Sequence, residues 1–270
     1  MFAARRRPKM SAKHHTGPIL KSAAEIEAMA AAGAALAECL DLVCAAATVG
    51  ATLLELDGIA EAAIRERRAI PAFLGYPGGP GAPDFPGSIC SSLNDVVVHG
   101  IPSPVRLEDG DLLAIDCGLI LDGWVADSAR TVAIGSITAE AAELKSVTET
   151  ALQRGIAAAQ AGNTVGDIGA AVQAEVEAAG FQVVRSLVGH GVGRSMHEEP
   201  QVPNYGTRGQ GPRLEPGIVI AIEPMVNIGT PDVTLDDDRW TVRTADGSLS
   251  AHSEHTIAIT ADGPRILTTR

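Results

Sequence analysis

The sequence predicts an α+β fold of two similar αβ halves around mostly antiparallel strands, and three observations carry that prediction. The order of elements reads helix, helix, strands, and then helix, helix, strands again. Each second helix follows the same tripeptide, Thr48-Val49-Gly50 in the first half and Thr164-Val165-Gly166 in the second. Between two apolar runs stands Asp122-Gly123, a two-residue hairpin signal that makes the flanking strands antiparallel. Together these imply an ancient duplication, two halves related by a pseudo-twofold axis, and a site between them.

Taken in order, residues 1–21 read as a basic, disordered tail without the apolar stretch of a secretory signal, with Met10 as an alternative start. Residues 22–270 read as one domain. A helix is predicted over Ser22–Ala47, where Ser22 is the N-cap and Glu25 completes a capping box. Its apolar run is rich in alanine and holds Glu38 and Asp41, which favours a buried helix over a membrane span. A second helix covers Leu53–Arg68 and stops before Pro71. The segment GYPGGPGAPDFPG, 75–87, is too dense in Gly and Pro for a regular element and is loop. Strand-like runs follow at Ser88–Val98 and Asp111–Ile134, then helices at Ala139–Ala161 and Val165–Ala179. The remainder is mainly β, with strands at Ile218–Val226, Trp240–Thr244 and Ser253–Thr260.

Composition narrows the function. With 46% apolar but only 3% aromatic residues, the core must be built from Ala, Val, Leu and Ile. A net charge of −12 argues against a nucleic-acid surface. Cys39, Cys44, Cys90 and Cys117 form no C-x-x-C pair, so reduced thiols in a cytoplasmic protein are expected.

The hairpin carries the first chemistry. If Asp122-Gly123 forms the turn, Leu121 pairs with Trp124, Gly118 with Asp127, and Asp116 with Ala129. Asp116 and Asp127 then share a face as diagonal neighbours, roughly 7–8 Å apart at Cβ, with Gly118 leaving room between them. Two carboxylates inside apolar strands repel and are costly to bury, and a divalent cation removes that cost. A pairing of Asp116 with an arginine such as Arg130 is an equally weighted reading. Glu223 ends the strand-like GIVIAIEP, and Glu254 lies between His252 and His255 in SAHSEHTIAI. The stretch VGHGVGRSMHEEP places His190 and His197 seven residues apart, followed by Glu198 and Glu199. Asp116, Asp127, His190, Glu223 and Glu254 would supply five ligands for a two-metal centre.

Five motifs in order make the chain similar to the type I methionine aminopeptidases of metallopeptidase family M24. They are NDVVVHGIP (94–102), IDCGLILDGWVAD (115–127), GHGVGRSMHEEP (189–200), IAIEPM (220–225) and WTVRTADGSLSAHSEHT (240–256). The resemblance implies the pita-bread fold and removal of N-terminal methionine ahead of small second residues. It makes Asp116, Asp127, His190, Glu223 and Glu254 the ligands of two divalent ions, with Co, Mn, Fe, Zn and Ni all open. His99 and His197 would contact the scissile amide and its neighbouring carbonyl, with Glu223 as proton shuttle. Tyr76, Phe85, Cys90, Met196 and Trp240 would line the methionine pocket, Cys90 either as a reactive thiol or as an ordinary buried one. Asn94, Val96 and Ser250 match a monovalent cation site. Glu198 and Glu199 match no ligand and are read as structural acids. The implied partners are the N-termini of nascent polypeptides, with the ribosome as a further one, for a monomer that touches neither nucleic acid nor membrane. The 75–87 loop departs from the family by about half a dozen extra residues. The rival readings are a prolidase or Xaa-Pro aminopeptidase of the same fold, and an inactive peptide-binding relative.

Overall fold

The computed structural model describes residues 17–270, so Met10 and the arginine run at 5–7 lie outside the described residues. Helix α1 (Ala23–Ala46) starts where the capping box places it: the Ser22 N–H donates to Glu25 Oε2 at 2.9 Å, and Ser22 Oγ accepts from the Glu25 N–H. By length and composition α1 is apolar enough to cross a membrane. Its Ala32, Leu36, Leu40 and Val43, however, are wholly buried in the core of the first half. Helix α2 (Leu53–Glu66) is boxed in the same way by Thr52 and Glu55.

The first half continues with β1 (Ile70–Pro71), β2 (Ile89–Leu93), β3 (Val96–Val98), β4 (Leu112–Leu121) and β5 (Trp124–Ala133). The second half runs α3 (Ala139–Ala158), α4 (Val165–Ala178), β6 (Gln182–Val183), β7 (Gly189–Gly191), β8 (Glu198–Val202), β9 (Val219–Ile222) and β10 (Met225–Asn227). It closes with β11 (Val233–Leu235), β12 (Val242–Thr244), β13 (Ser250–His252), β14 (His255–Thr260) and β15 (Gly263–Ile266). Strand β4 pairs with β5 along its whole length, and with β2 and β1 on its other edge. The matching sheet of the second half is ordered β15-β14-β9-β7-β8. Of two small sheets, β13-β10-β6 belongs to the second half, while β11-β12-β3 joins the halves through β3, and every pairing is antiparallel.

Two predicted strands, Ser88–Val98 and Ile218–Val226, are in fact two elements each, and the predicted strand Ser253–Thr260 begins two residues later, as β14. Asn94, at φ +55°, turns the chain between β2 and β3. Glu223-Pro224 separates β9 from β10, and Ser253-Glu254 separates β13 from β14. Trp240 lies two residues ahead of β12 rather than in it.

The two halves repeat one order of elements, but the shared tripeptide aligns them wrongly. Thr164 is the N-cap of α4, whereas the N-cap of α2 is Thr52, not Thr48. Gly50 and Gly162 are the true equivalents. Each sits two residues before its cap, at φ +90° and +93°, and donates to a leucine carbonyl, Leu107 and Leu214 respectively. The caps themselves form matching isolated bridges, Thr52 to Arg106 and Thr164 to Arg213.

Candidate active site

The hairpin register is the predicted one: Leu121 opposes Trp124, Gly118 opposes Asp127, and Asp116 opposes Ala129. Asp122 and Gly123 both lie at positive φ, +49° and +78°, as a two-residue turn between right-twisted strands requires. Asp116 and Asp127 therefore point to one face. Gly118 does more than leave room between them. A Cβ there would lie 2.8 Å from the Phe73 ring and 3.0 Å from the Met196 methyl, so the pocket's apolar wall occupies that space. Arg130 pairs with Asp41, which removes it as a partner for Asp116.

The other two acids are not inside strands as expected. Glu223 follows the last residue of β9, and Glu254 lies between β13 and β14. At both points the chain leaves one sheet for another, which frees the side chain from the alternation of a strand. Glu254 is held there across the halves: its N–H donates to the Ala129 carbonyl at 2.9 Å, and its carbonyl accepts from Ser128 Oγ at 2.7 Å.

These four acids and His190 line one cavity of about 280 Å³. Ligand atoms of Asp127, His190 and Glu254 all lie within 4.8 Å of one another. Burial pushes the Asp127 carboxyl up to about 7. Burial, then repulsion from Asp127, pushes Asp116, Glu223 and Glu254 up as well. Asp116 Oδ1, Asp127 Oδ1 and Glu254 Oε1 are buried with no hydrogen-bond partner among the described residues. His190 is pushed down to about 4, by burial first and then by His197, and so is neutral. Its Nδ1 donates to the Gly191 carbonyl at 2.9 Å, which leaves the Nε2 lone pair free. That lone pair faces Glu223 Oε1 at 3.5 Å and Asp127 Oδ2 at 3.7 Å. Orphaned carboxylate oxygens converging on an imidazole lone pair repel one another, and a divalent cation is the species that satisfies them all. One nitrogen among oxygens suits Mn, Fe, Co, Ni or Zn.

His197 stacks edge-on to His190 at 4.4 Å between ring centroids and bonds through Nδ1 to the Tyr76 hydroxyl at 2.7 Å. Burial, with Asp127, pushes the Tyr76 phenol up, so it keeps its proton. With the phenol as donor to Nδ1, the ring proton of neutral His197 lies on Nε2; with Nδ1–H as donor to the phenol oxygen, it lies on Nδ1. His99 is held at φ +59°, a conformation costing about 1–3 kcal/mol for a non-glycine residue, and lines the same cavity. Its ring packs edge-on to Trp240 at 6.2 Å, and Trp240 packs on Phe85 at 5.2 Å.

All five expected methionine-pocket residues line the cavity: Tyr76, Phe85, Cys90, Met196 and Trp240. Cys90 is 4% exposed and opposite Asp116, and burial pushes its thiol well up, which favours the ordinary buried cysteine of the two readings. Phe73, Leu187 and Met225 also line the cavity and were missed; each is a lone apolar residue with nothing in its local sequence to single it out. At the expected monovalent site, the Ser250 N–H donates to the Asn94 carbonyl at 2.9 Å, and Val96 lies two residues on. The Asn94 side chain is committed to Asp111 and to the Leu112 N–H, so a cation there would meet backbone oxygens.

The model of metallopeptidase family M24 matches residues 27–261. A methionine aminopeptidase of Clostridium acetobutylicum is 49% identical over 251 residues, 93% of this chain and 98% of that protein. The crystal structure of a methionine aminopeptidase from Thermotoga maritima superposes with a TM-score of 0.90 at 39% identity, covering 94% of this chain and all of that one. A prolidase from Pyrococcus horikoshii superposes with a TM-score of 0.73 at 23% identity, over 94% of this chain and 64% of its own, a likeness of fold alone.

Proposed function

Since the chain belongs to metallopeptidase family M24 and shares its pita-bread fold, we infer that it is a methionine aminopeptidase, hydrolysing the first peptide bond of polypeptides that begin with methionine. The observation that carries the reading is the convergence of Asp116, Asp127, His190, Glu223 and Glu254 beside an apolar pocket. That pocket, walled by Phe73, Phe85, Met196 and Trp240, suits an unbranched thioether side chain. The prolidase reading draws on likeness of fold alone, and the inactive-relative reading is disfavoured because all five donor residues are present and line the cavity.

Asp116, Asp127, His190, Glu223 and Glu254 would together hold two divalent ions. When bound, the ions would supply Lewis acidity, polarising the scissile carbonyl and acidifying a water. Glu223 takes the proton of the attacking water and passes it to the leaving amine. His197, with its proton on Nε2, donates to the carbonyl oxygen as charge develops there. His99 hydrogen-bonds the leaving amide nitrogen. Small residues would be preferred in the second position. We further propose a monomer working in the cytoplasm on nascent chains, with the ribosome as a docking partner and a monovalent cation at Asn94, Val96 and Ser250. A net charge of −12 disfavours nucleic acid.

The test is hydrolysis of Met-Ala-Ser against an Xaa-Pro dipeptide by protein reconstituted with each divalent metal. Met-Ala-Ser is expected to be cleaved, and Asp127→Ala and Glu254→Ala to lower kcat at least 1,000-fold, about the loss of a Lewis-acid site. Turnover of the Xaa-Pro dipeptide alone would replace this reading with the prolidase one. Full turnover by either variant would refute the dinuclear centre.

A further inference from the structure

Glu198, which matches no ligand, is the most heavily committed acid near the site. One carboxylate oxygen, Oε1, accepts the N–H groups of Arg194 and Ser195 at 2.9 and 3.3 Å. The other, Oε2, accepts from the ammonium of Lys21 at 2.6 Å, and the two side chains are only 3% and 7% exposed. The carboxylate thus sits inside the turn that joins His190 to His197. It lies so close that a Cβ at Gly193 would run into it. Lys21 is itself fixed: its N–H donates to the Gly217 carbonyl at 2.7 Å, just ahead of β9.

The other side of the turn is held by the hairpin that bears the aspartates. The Val125 N–H donates to the Gly193 carbonyl at 2.9 Å. The Arg194 guanidinium lies 3.5 Å from the Trp124 ring centroid and donates to the carbonyls of Asp122 and Gly123. His197 is the residue next to Glu198 in the chain, and its only side-chain hydrogen bond among the described residues is the one from Tyr76. Its backbone placement therefore depends on what fixes residues 193–198.

We propose that Lys21 and Glu198 form a buried strut that positions His197 against the substrate carbonyl, so that the segment before α1 tunes turnover. This rests on the reading of His197 as the substrate-facing donor. A buried ammonium and a buried carboxylate, each the other's neutralising partner, fix the turn more narrowly than surface contacts do. A displacement of the order of 1 Å at a positioning group can cost about 100-fold in rate.

The experiment is a double-mutant cycle on full-length, metal-reconstituted protein cleaving Met-Ala-Ser. Lys21→Met and Glu198→Gln are each expected to lower kcat about 10- to 100-fold with KM changed less than threefold. Lys21→Arg, which keeps the charge, should recover most of the loss. Metal stoichiometry measured by titration calorimetry should stay at the wild-type value, because His190 keeps its own bond to Gly191. In a His197→Ala background, Lys21→Met and Glu198→Gln should cause little further loss. Glu198→Gln is isosteric and keeps an acceptor for the two amides, so it reports even if Lys21→Met does not fold. Undiminished losses in the His197→Ala background, or wild-type kcat in folded Glu198→Gln, would overturn the strut while leaving the aminopeptidase reading intact. Full turnover by His197→Ala itself would instead overturn the assignment of His197, and the strut with it.

Discussion

At His197 one hydrogen bond, with the Tyr76 hydroxyl, bears on which ring nitrogen carries the proton. The phenol of Tyr76 is 121 positions away in sequence and 2.7 Å away in space, and as a donor to Nδ1 it would hold the ring proton on the opposite nitrogen. Tyr76→Phe is expected to lower kcat/KM for Met-Ala-Ser about 2- to 10-fold, the net worth of one hydrogen bond, without changing metal content. An unaltered kcat/KM would show that the tautomer is set elsewhere. At this scale the sequence was half legible. Asp116 and Asp127 could be placed on one face by counting residues from a turn. The two histidines could not be told apart by spacing, because what separates them is a partner: the adjacent Gly191 carbonyl for one, a distant tyrosine for the other. Their different roles came only with the family resemblance.

Among the elements, the 75–87 loop shows what composition can and cannot reveal. Its glycines and prolines forbade helix and strand, and loop it is. Its anchoring was invisible. The Gly75 N–H donates to the Phe85 carbonyl and the Phe85 N–H to the Tyr76 carbonyl, closing a neck that is itself pocket wall. Farther out, Trp240 Nε1 donates to the Pro83 carbonyl at 2.9 Å from 157 residues away, and Arg239 to the Pro80 carbonyl at 3.2 Å. We expect replacement of residues 78–83 by a two-glycine link to change the ratio of kcat/KM between Met-Ala-Ser and a Met-peptide with a bulkier second residue by about tenfold, the scale of one pocket contact. Equal ratios before and after would make the loop a surface extension. The breaks beside the two glutamates divide the same way. Pro224 announces the end of β9, since proline cannot serve a central strand. Nothing comparable marks Ser253-Glu254, where the switch of sheets is imposed by the contacts of Glu254 with Ser128 and Ala129.

Over the whole molecule, the duplicated halves contribute unequally to one site: Asp116 and Asp127 come from the first, His190, Glu223 and Glu254 from the second. A cation bound there joins the halves and is bound only when both are folded. Divalent metal at 100 times its Kd should therefore stabilise chelator-treated protein by about 2.7 kcal/mol. That is a rise in Tm of about 5–10 °C for a domain of this size. Asp127→Ala and Glu254→Ala should abolish the rise, whereas an equal rise in either variant would place the stabilising ion elsewhere. The order of elements made the two halves legible. Their alignment was not, because Thr-Val-Gly recurs by coincidence, four residues out of step, while the glycine–cap–bridge geometry that does repeat uses different neighbours: Ala51 in one half and Asn163 in the other.

The chain's two tryptophans pack against the two loops that frame the pocket: Trp124, the first residue of β5, under Arg194, and Trp240 against Phe85 and the loop at Pro83. The protein thus carries its own optical label at each wall. A Trp240→Phe chain leaves a single tryptophan, whose emission, excited beyond the tyrosine band, follows the turn bearing His197 while substrate comes and goes.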